Sequence, residues 1–156
     1  MVVYFNMEIT TDTIKELRER TGVSVMQCRK ALEEAGGDLE KAVAVLKKHS
    51  GVSALKKADR ELAAGTIGNY THDGSVGALV LLSCETDFVA KNPEFLALAR
   101  ELAMQVAAMN PGNTEELLEQ PFIKDGSKTI QNLLEEATQK FGERTQIGSF
   151  ARLSAR

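Results

Sequence analysis

Apolar positions recur at helical spacing through the first third of the chain, give way to short strand-like runs, and then resume helical spacing before one last alternating segment. Ile14 and Leu17 share a face of a first helix, which Thr10 or Thr11 can cap and Gly22 closes. Ser24 opens a second, and Gln27 three residues on completes a capping box. Val25, Cys28, Ala31, Leu32 and Ala35 follow at helical spacing until Gly36-Gly37 stops the turn. Asp38 caps a third helix with the stripe Leu39, Ala42, Val43 and Leu46, and His49-Ser50-Gly51 breaks it off. The spacing predicts a three-helix module of about 40 residues, near the lower size limit for folding unaided. Val52 to Ala64 reads as a separate helical connector carrying Lys56, Lys57 and Arg60.

The pattern changes character at Gly65. Thr66 to Thr71 and Val76 to Leu82 flank Asp73-Gly74, which predicts a hairpin with His72 at its turn. Because Leu79 to Leu82 lose polar alternation, the second strand is expected to be covered on both faces. The strand stops at Ser83, and Asn92-Pro93 caps a helix running to Met109 with Phe95, Leu98, Leu102 and Val106 on one face. Between them lies the polar loop Cys84-Glu85-Thr86-Asp87-Phe88-Val89-Ala90-Lys91 with one large aromatic. Phe88 either folds back onto the core or projects as a contact residue. A helical turn from Thr114 to Glu119, a turn at Asp125-Gly126, a helix from Thr129 to Gly142 and a third strand from Thr145 to Leu153 complete the chain. The expected fold class is α+β, a small antiparallel sheet with helices on one face and a thin core that leaves an apolar surface for a partner.

Composition narrows the function. A chain of 156 residues with net charge −3 is an ordinary globular protein and lacks the basic excess of a general nucleic-acid binder. A helix-turn-helix reading of the N-terminal helices is disfavoured, since only Arg29 and Lys30 cluster on the second helix. That leaves protein docking, with Val25 and Met26 as adjacent residues that cannot both face inward. Cys28 and Cys84 fit neither a disulfide framework nor a zinc site and read as reduced, buried thiols. With no signal-peptide pattern and no long apolar run, the chain is expected to be cytoplasmic, and Asn69-Tyr70-Thr71 is then an incidental sequon. Phosphate-loop, dinucleotide, zinc-protease and EF-hand motifs are missing, so no cofactor or metal is expected. Cys84 with His72 and Asp87 could be drawn as a thiol nucleophile with its base and orienting acid, but a thiol ending an apolar strand is inert, so no enzyme is expected.

Leu17-Arg18-Glu19-Arg20-Thr21-Gly22, Arg29-Lys30-Ala31-Leu32-Glu33-Glu34-Ala35 with Gly37-Asp38, Cys84 to Asn92, and Pro121-Phe122-Ile123-Lys124-Asp125 with Ser127-Lys128-Thr129 closely resemble bacterial elongation factor Ts, from about Met7 onward. Where the family carries a Met pair this chain has Val25-Met26, its second-helix Lys is Arg29, and its Glu-x-Asn-Cys is Leu81-Leu82-Ser83-Cys84. The resemblance implies a guanine-nucleotide exchange factor for elongation factor Tu, not an enzyme. It implies a ubiquitin-associated-like three-helix domain at 7–50 and a core domain, the α+β region at 65–156; the residues themselves read as a flexible extension at 1–6, since Met7-Glu8-Ile9 reads equally well as a start, and a connector helix at 51–64. By the same resemblance Asp87 and Phe88, with Thr86 and Val89, enter the GTPase near its magnesium site, while Arg18, Val25 and Met26 grip its nucleotide-binding domain. Long members have two related core subdomains; this chain has room for one, as in short members, which form homodimers. A rival expectation is a scaffold or ribosome-associated protein using Lys56, Lys57 and Arg60, with salt-sensitive RNA binding.

Overall fold

The structure, a computed structural model, describes residues 8–156, so the expected extension at 1–6 lies outside the described residues. Three helices come first: α1 (Thr11–Thr21), α2 (Val25–Glu34) and α3 (Leu39–Lys56). Thr10, Ser24 and Asp38 cap them by accepting from backbone N–H groups three residues on. The reciprocal capping box forms at α1, between Thr10 and Thr13, and at α2 only the Ser24 half is made. Gly22 ends α1 at φ 68°, a left-handed conformation that costs glycine nothing. Leu17, Val23, Cys28, Ala31, Leu32, Ala42 and Leu46 form one closed apolar cluster among these helices.

The connector differs from expectation. No break occurs at His49-Ser50-Gly51, because α3 runs through them to Lys56; the Ser50 hydroxyl donates to the Lys47 carbonyl at 2.7 Å, satisfying itself within the helix. There is thus no separate helix over 51–64. The chain turns at 57–60 and enters β1 (Ala64–His72) directly. The distal half of α3 packs along α7 (Ile130–Phe141), which joins the N-terminal helices to the rest of the molecule.

The remainder is α+β. β1 pairs antiparallel with β2 (Val76–Cys84) through a tight turn in which Asp73 and Gly74 both have positive φ, 48° and 68°. β2 pairs antiparallel with β5 (Gln146–Ser154) on its other edge, giving the order β1-β2-β5. Leu81 faces Ser149 and Leu82 faces Ile147, so Gly148 is left as the extra residue of a bulge. Ala78, Val80, Leu82 and Cys84 point to one face and are buried under α5 (Pro93–Met109). The crossing is close at one point: a Cβ on Gly68 would lie 2.1 Å from the Ala99 carbonyl oxygen. The other face of β2 is not covered as expected, since Leu79 is exposed and Leu81 only half-buried. Between α5 and α7 run α6 (Thr114–Glu119) and a small hairpin, β3 (Pro121–Phe122) with β4 (Asp125–Thr129), whose turn is Ile123-Lys124 and not Asp125-Gly126. Buried Gln105 on α5 fixes that hairpin by donating to the Pro121 carbonyl at 3.1 Å and accepting from the Ile123 N–H at 2.9 Å.

Candidate functional site

The loop after β2 is shorter than its sequence suggests, because Asp87–Ala90 close a single helical turn, α4, before α5 begins. Thr86 is its cap, with φ −129° and ψ 153°, and its hydroxyl accepts from the Val89 N–H at 3.5 Å. The Lys91 N–H then bonds the Asp87 carbonyl at 3.1 Å, and Asn92 caps α5 by accepting from the Glu94 N–H at 2.9 Å. Successive residues of a helical turn point about 100° apart. Val89 and Ala90 therefore enter the core while Asp87 and Phe88 face water. Phe88 does not fold back: its side chain is 87% exposed. Val89, at 6%, serves as the anchor of the turn and offers no surface for contact in this conformation.

What holds the turn comes from far along the chain. Glu143, in the loop after α7, accepts at Oε1 from the Glu85 N–H (3.1 Å) and the Thr86 N–H (2.9 Å), and at Oε2 from the Thr86 hydroxyl (2.7 Å). The favour is returned by Glu85, whose Oε1 accepts from the Arg144 N–H at 2.8 Å. Arg144 in turn donates to the Arg60 carbonyl at 2.7 Å and to Gln146 at 2.6 Å. Each carboxylate thus caps backbone N–H groups of the other's loop, and charge-assisted bonds of this kind are about twice as strong as neutral ones. Inside, the Cys84 thiol donates to the Thr86 carbonyl at 3.3 Å. Burial pushes the Cys84 pKa up, and the nearby Glu143 carboxylate pushes in the same direction.

No nucleophilic triad forms here. His72 ends β1 opposite Val76 while Cys84 ends β2 opposite Ala64, which puts them eight residues apart along the ladder, about 26 Å at the rise of an extended strand. His72 instead stacks on Tyr70 and shares a 3.1 Å hydrogen bond with its hydroxyl. Among the described residues no group of His, Cys, Asp or Glu is placed to hold a metal ion. Surface cavities lie between α3, α7 and β5, between the N-terminal helices and β4–α7, and between α6 and the start of α7; residues 84–92 line none of these.

Arg18, Val25 and Met26 sit apart from this turn, on α1 and at the start of α2. All three are exposed, Val25 at 50% and Met26 at 68%. The basic group on the connector does not converge: Lys56 is exposed, Lys57 half-buried, and Arg60 is drawn 3.5 Å from Glu85. Glu85, Glu143 and Arg144 were not legible as a site. Nothing in their local spacing marks them, since the partners lie 57 to 59 residues apart in sequence.

The family profile described as elongation factor TS matches residues 7–111 and 85–156. The elongation factor Ts of Desulforamulus reducens is 39% identical over 191 aligned positions, covering 93% of this chain and 88% of that one. That of Thermodesulfovibrio yellowstonii is 38% identical, covering 94% and 96%. That of Trichlorobacter lovleyi is 46% identical, covering 96% of this chain and 48% of the relative. By these comparisons the chain belongs with the translation elongation factors. The chain is a member of the elongation factor Ts family.

Proposed function

We propose that this chain is a guanine-nucleotide exchange factor that binds elongation factor Tu carrying GDP and speeds GDP release by disturbing its magnesium and phosphate site. The observation that carries the reading is Phe88, a large apolar side chain held 87% in water by a turn whose next two residues, Val89 and Ala90, are buried. An aromatic kept so exposed on a fixed support is suited to enter a partner, and Asp87 beside it supplies a negative charge where a magnesium site would be displaced. Thr86 shapes the turn. The proposal includes an N-terminal three-helix domain that ends with α3 at Lys56 and grips the partner through Arg18, Val25 and Met26, a core at 65–156, a second copy on the open face of the sheet, and action in the cytoplasm. It requires no cofactor and no bond-making step.

Magnitudes divide the work. Weakening GDP by a factor of about 10⁴ takes roughly 5.5 kcal/mol of differential binding. Burying one Phe gives about 1.5–3 kcal/mol, so Phe88 needs the N-terminal grip as well. By linkage, GDP weakens the factor's own binding to the same degree. The test is release of labelled GDP from elongation factor Tu by the intact chain and by Phe88→Ala. The expected result is acceleration by the intact chain and a loss of about tenfold or more in the variant, the equivalent of one buried aromatic. Full acceleration by Phe88→Ala moves the mechanism elsewhere in the interface, and none by the intact chain refutes the reading.

A further inference from the structure

We infer that Glu143 is a positioning residue for Phe88: its carboxylate fixes the direction in which the turn Asp87–Ala90 leaves the core. This rests on the exchange reading above and assigns a further residue to it. Three bonds converge on one side chain, two from consecutive backbone N–H groups at 3.1 and 2.9 Å and one from the Thr86 hydroxyl at 2.7 Å. The third bond has a particular consequence. A hydroxyl that donates its only hydrogen to Glu143 turns its lone pairs away from the carboxylate, toward the Val89 N–H that it caps. The carboxylate therefore acts on the turn twice, by pinning the two residues ahead of it and by orienting the cap.

The alternatives for holding this turn are weaker. The short helix has only four residues and little stability of its own. Val89 and Ala90 anchor its inner side, and burial alone does not set rotation about the strand-to-turn junction at Glu85-Thr86. Glu143 itself is placed by the end of α7, where Gly142 adopts φ 73° and its N–H bonds the Thr138 carbonyl at 3.0 Å. An error in the angle at Thr86 is carried outward to the exposed ring, the part that must fit a partner.

Glu143→Ala, Glu143→Gln and Glu143→Asp are compared with the intact chain in labelled GDP release from elongation factor Tu, each also in a Phe88→Ala background. Glu143→Ala is expected to lower the maximal acceleration about tenfold, as loss of hydrogen bonds to a charged group predicts. In the Phe88→Ala background the same change is expected to cost nothing further, which a merely structural contribution would not reproduce. Glu143→Gln keeps an oxygen for the two N–H groups and is expected to retain most of the activity. Glu143→Asp, one methylene short, is not. In the free protein, amide hydrogen exchange at residues 85–89 is expected to rise in the order Gln, Asp, Ala, and this readout does not depend on elongation factor Tu.

Unchanged GDP release by folded Glu143→Ala, or losses that add to those of Phe88→Ala, would overturn the assignment. If Glu143→Ala does not fold, the order of Gln above Asp decides it, and equal activity of those two overturns it. An intact chain that accelerates nothing removes the exchange reading itself, and the assignment with it; the inactive wild type distinguishes that failure from the others.

Discussion

Cys84 shows how one side chain serves both the core and the exposed turn. It is fully buried at the end of β2 and yet spends its S–H on the Thr86 carbonyl, two residues beyond the strand. Burial pushes its pKa upward, and burial does the same to Cys28, where the Thr21 hydroxyl offsets part of the effect. A folded-state pKa above the unfolded value means that the native state holds its proton longer. The stabilisation is whole below the unfolded thiol range and is lost as pH rises through it and toward the folded value. We therefore expect neither thiol to react with a disulfide reagent at pH 8 faster than the protein unfolds. Prompt labelling of either cysteine in the native state, followed by absorbance, would contradict that. Phe88 presents the opposite case, an apolar side chain whose exposure no propensity of its own explains. Its two possible orientations are both open from sequence, because the contacts that clamp the turn come from Glu143, 57 positions beyond Thr86.

Local signals read well for elements whose ends are chemical and poorly where tertiary packing decides. Asn92-Pro93 starts α5, Thr129 and Gly142 bound α7, and Asp73-Gly74 turns the hairpin, all as the residue types require. His49-Ser50-Gly51 looked like a break and is not one, because α7 lies alongside and rewards continued helix in α3. The apolar run Leu79 to Leu82 suggested two covered faces, whereas only Val80 and Leu82 are buried. The β3–β4 hairpin has too few residues to show a period, and it depends on hydrogen bonds to Gln105. Gly68 is an example of a glycine demanded by neighbours: α5 presses its backbone onto β1 there. Gly68→Ala is expected to lower stability by about 3 kcal/mol or more, since backbone on both sides leaves nothing flexible to yield. Chemical denaturation measures it, and a loss below about 1 kcal/mol would mean that the helix can lift away.

At the scale of the whole molecule, the open side of the three-stranded sheet stands out. Ile67 and Leu79 are more than half exposed, and Leu153 on β5 is 81% exposed; the ladder sets Ile67 beside Leu81 and Leu153 beside Gly77 on this same face. One face of the sheet is therefore dry under α5 and the other is apolar but wet, a surface that fits a second copy of the chain. Sedimentation at micromolar concentration is expected to give the mass of a dimer for the intact chain and of a monomer for Leu79→Glu, with both folded by circular dichroism. A monomer for the intact chain would refute the proposed assembly. Here the sequence was informative in a general way, since three strands and a few helices cannot bury all their apolar side chains.

The paired carboxylates of the two loops also bear on the order of folding. Glu143 lies 57 positions beyond Thr86, with α5, the β3–β4 hairpin and α7 between them. Closing so long a loop costs chain entropy before any bond offsets it, which places this contact among the late events. During synthesis the ring of Phe88 leaves the ribosome well before the carboxylate that aims it. An incomplete chain thus carries the aromatic without its aim, and competence to engage a partner arrives with the loop that follows α7 rather than with the turn itself.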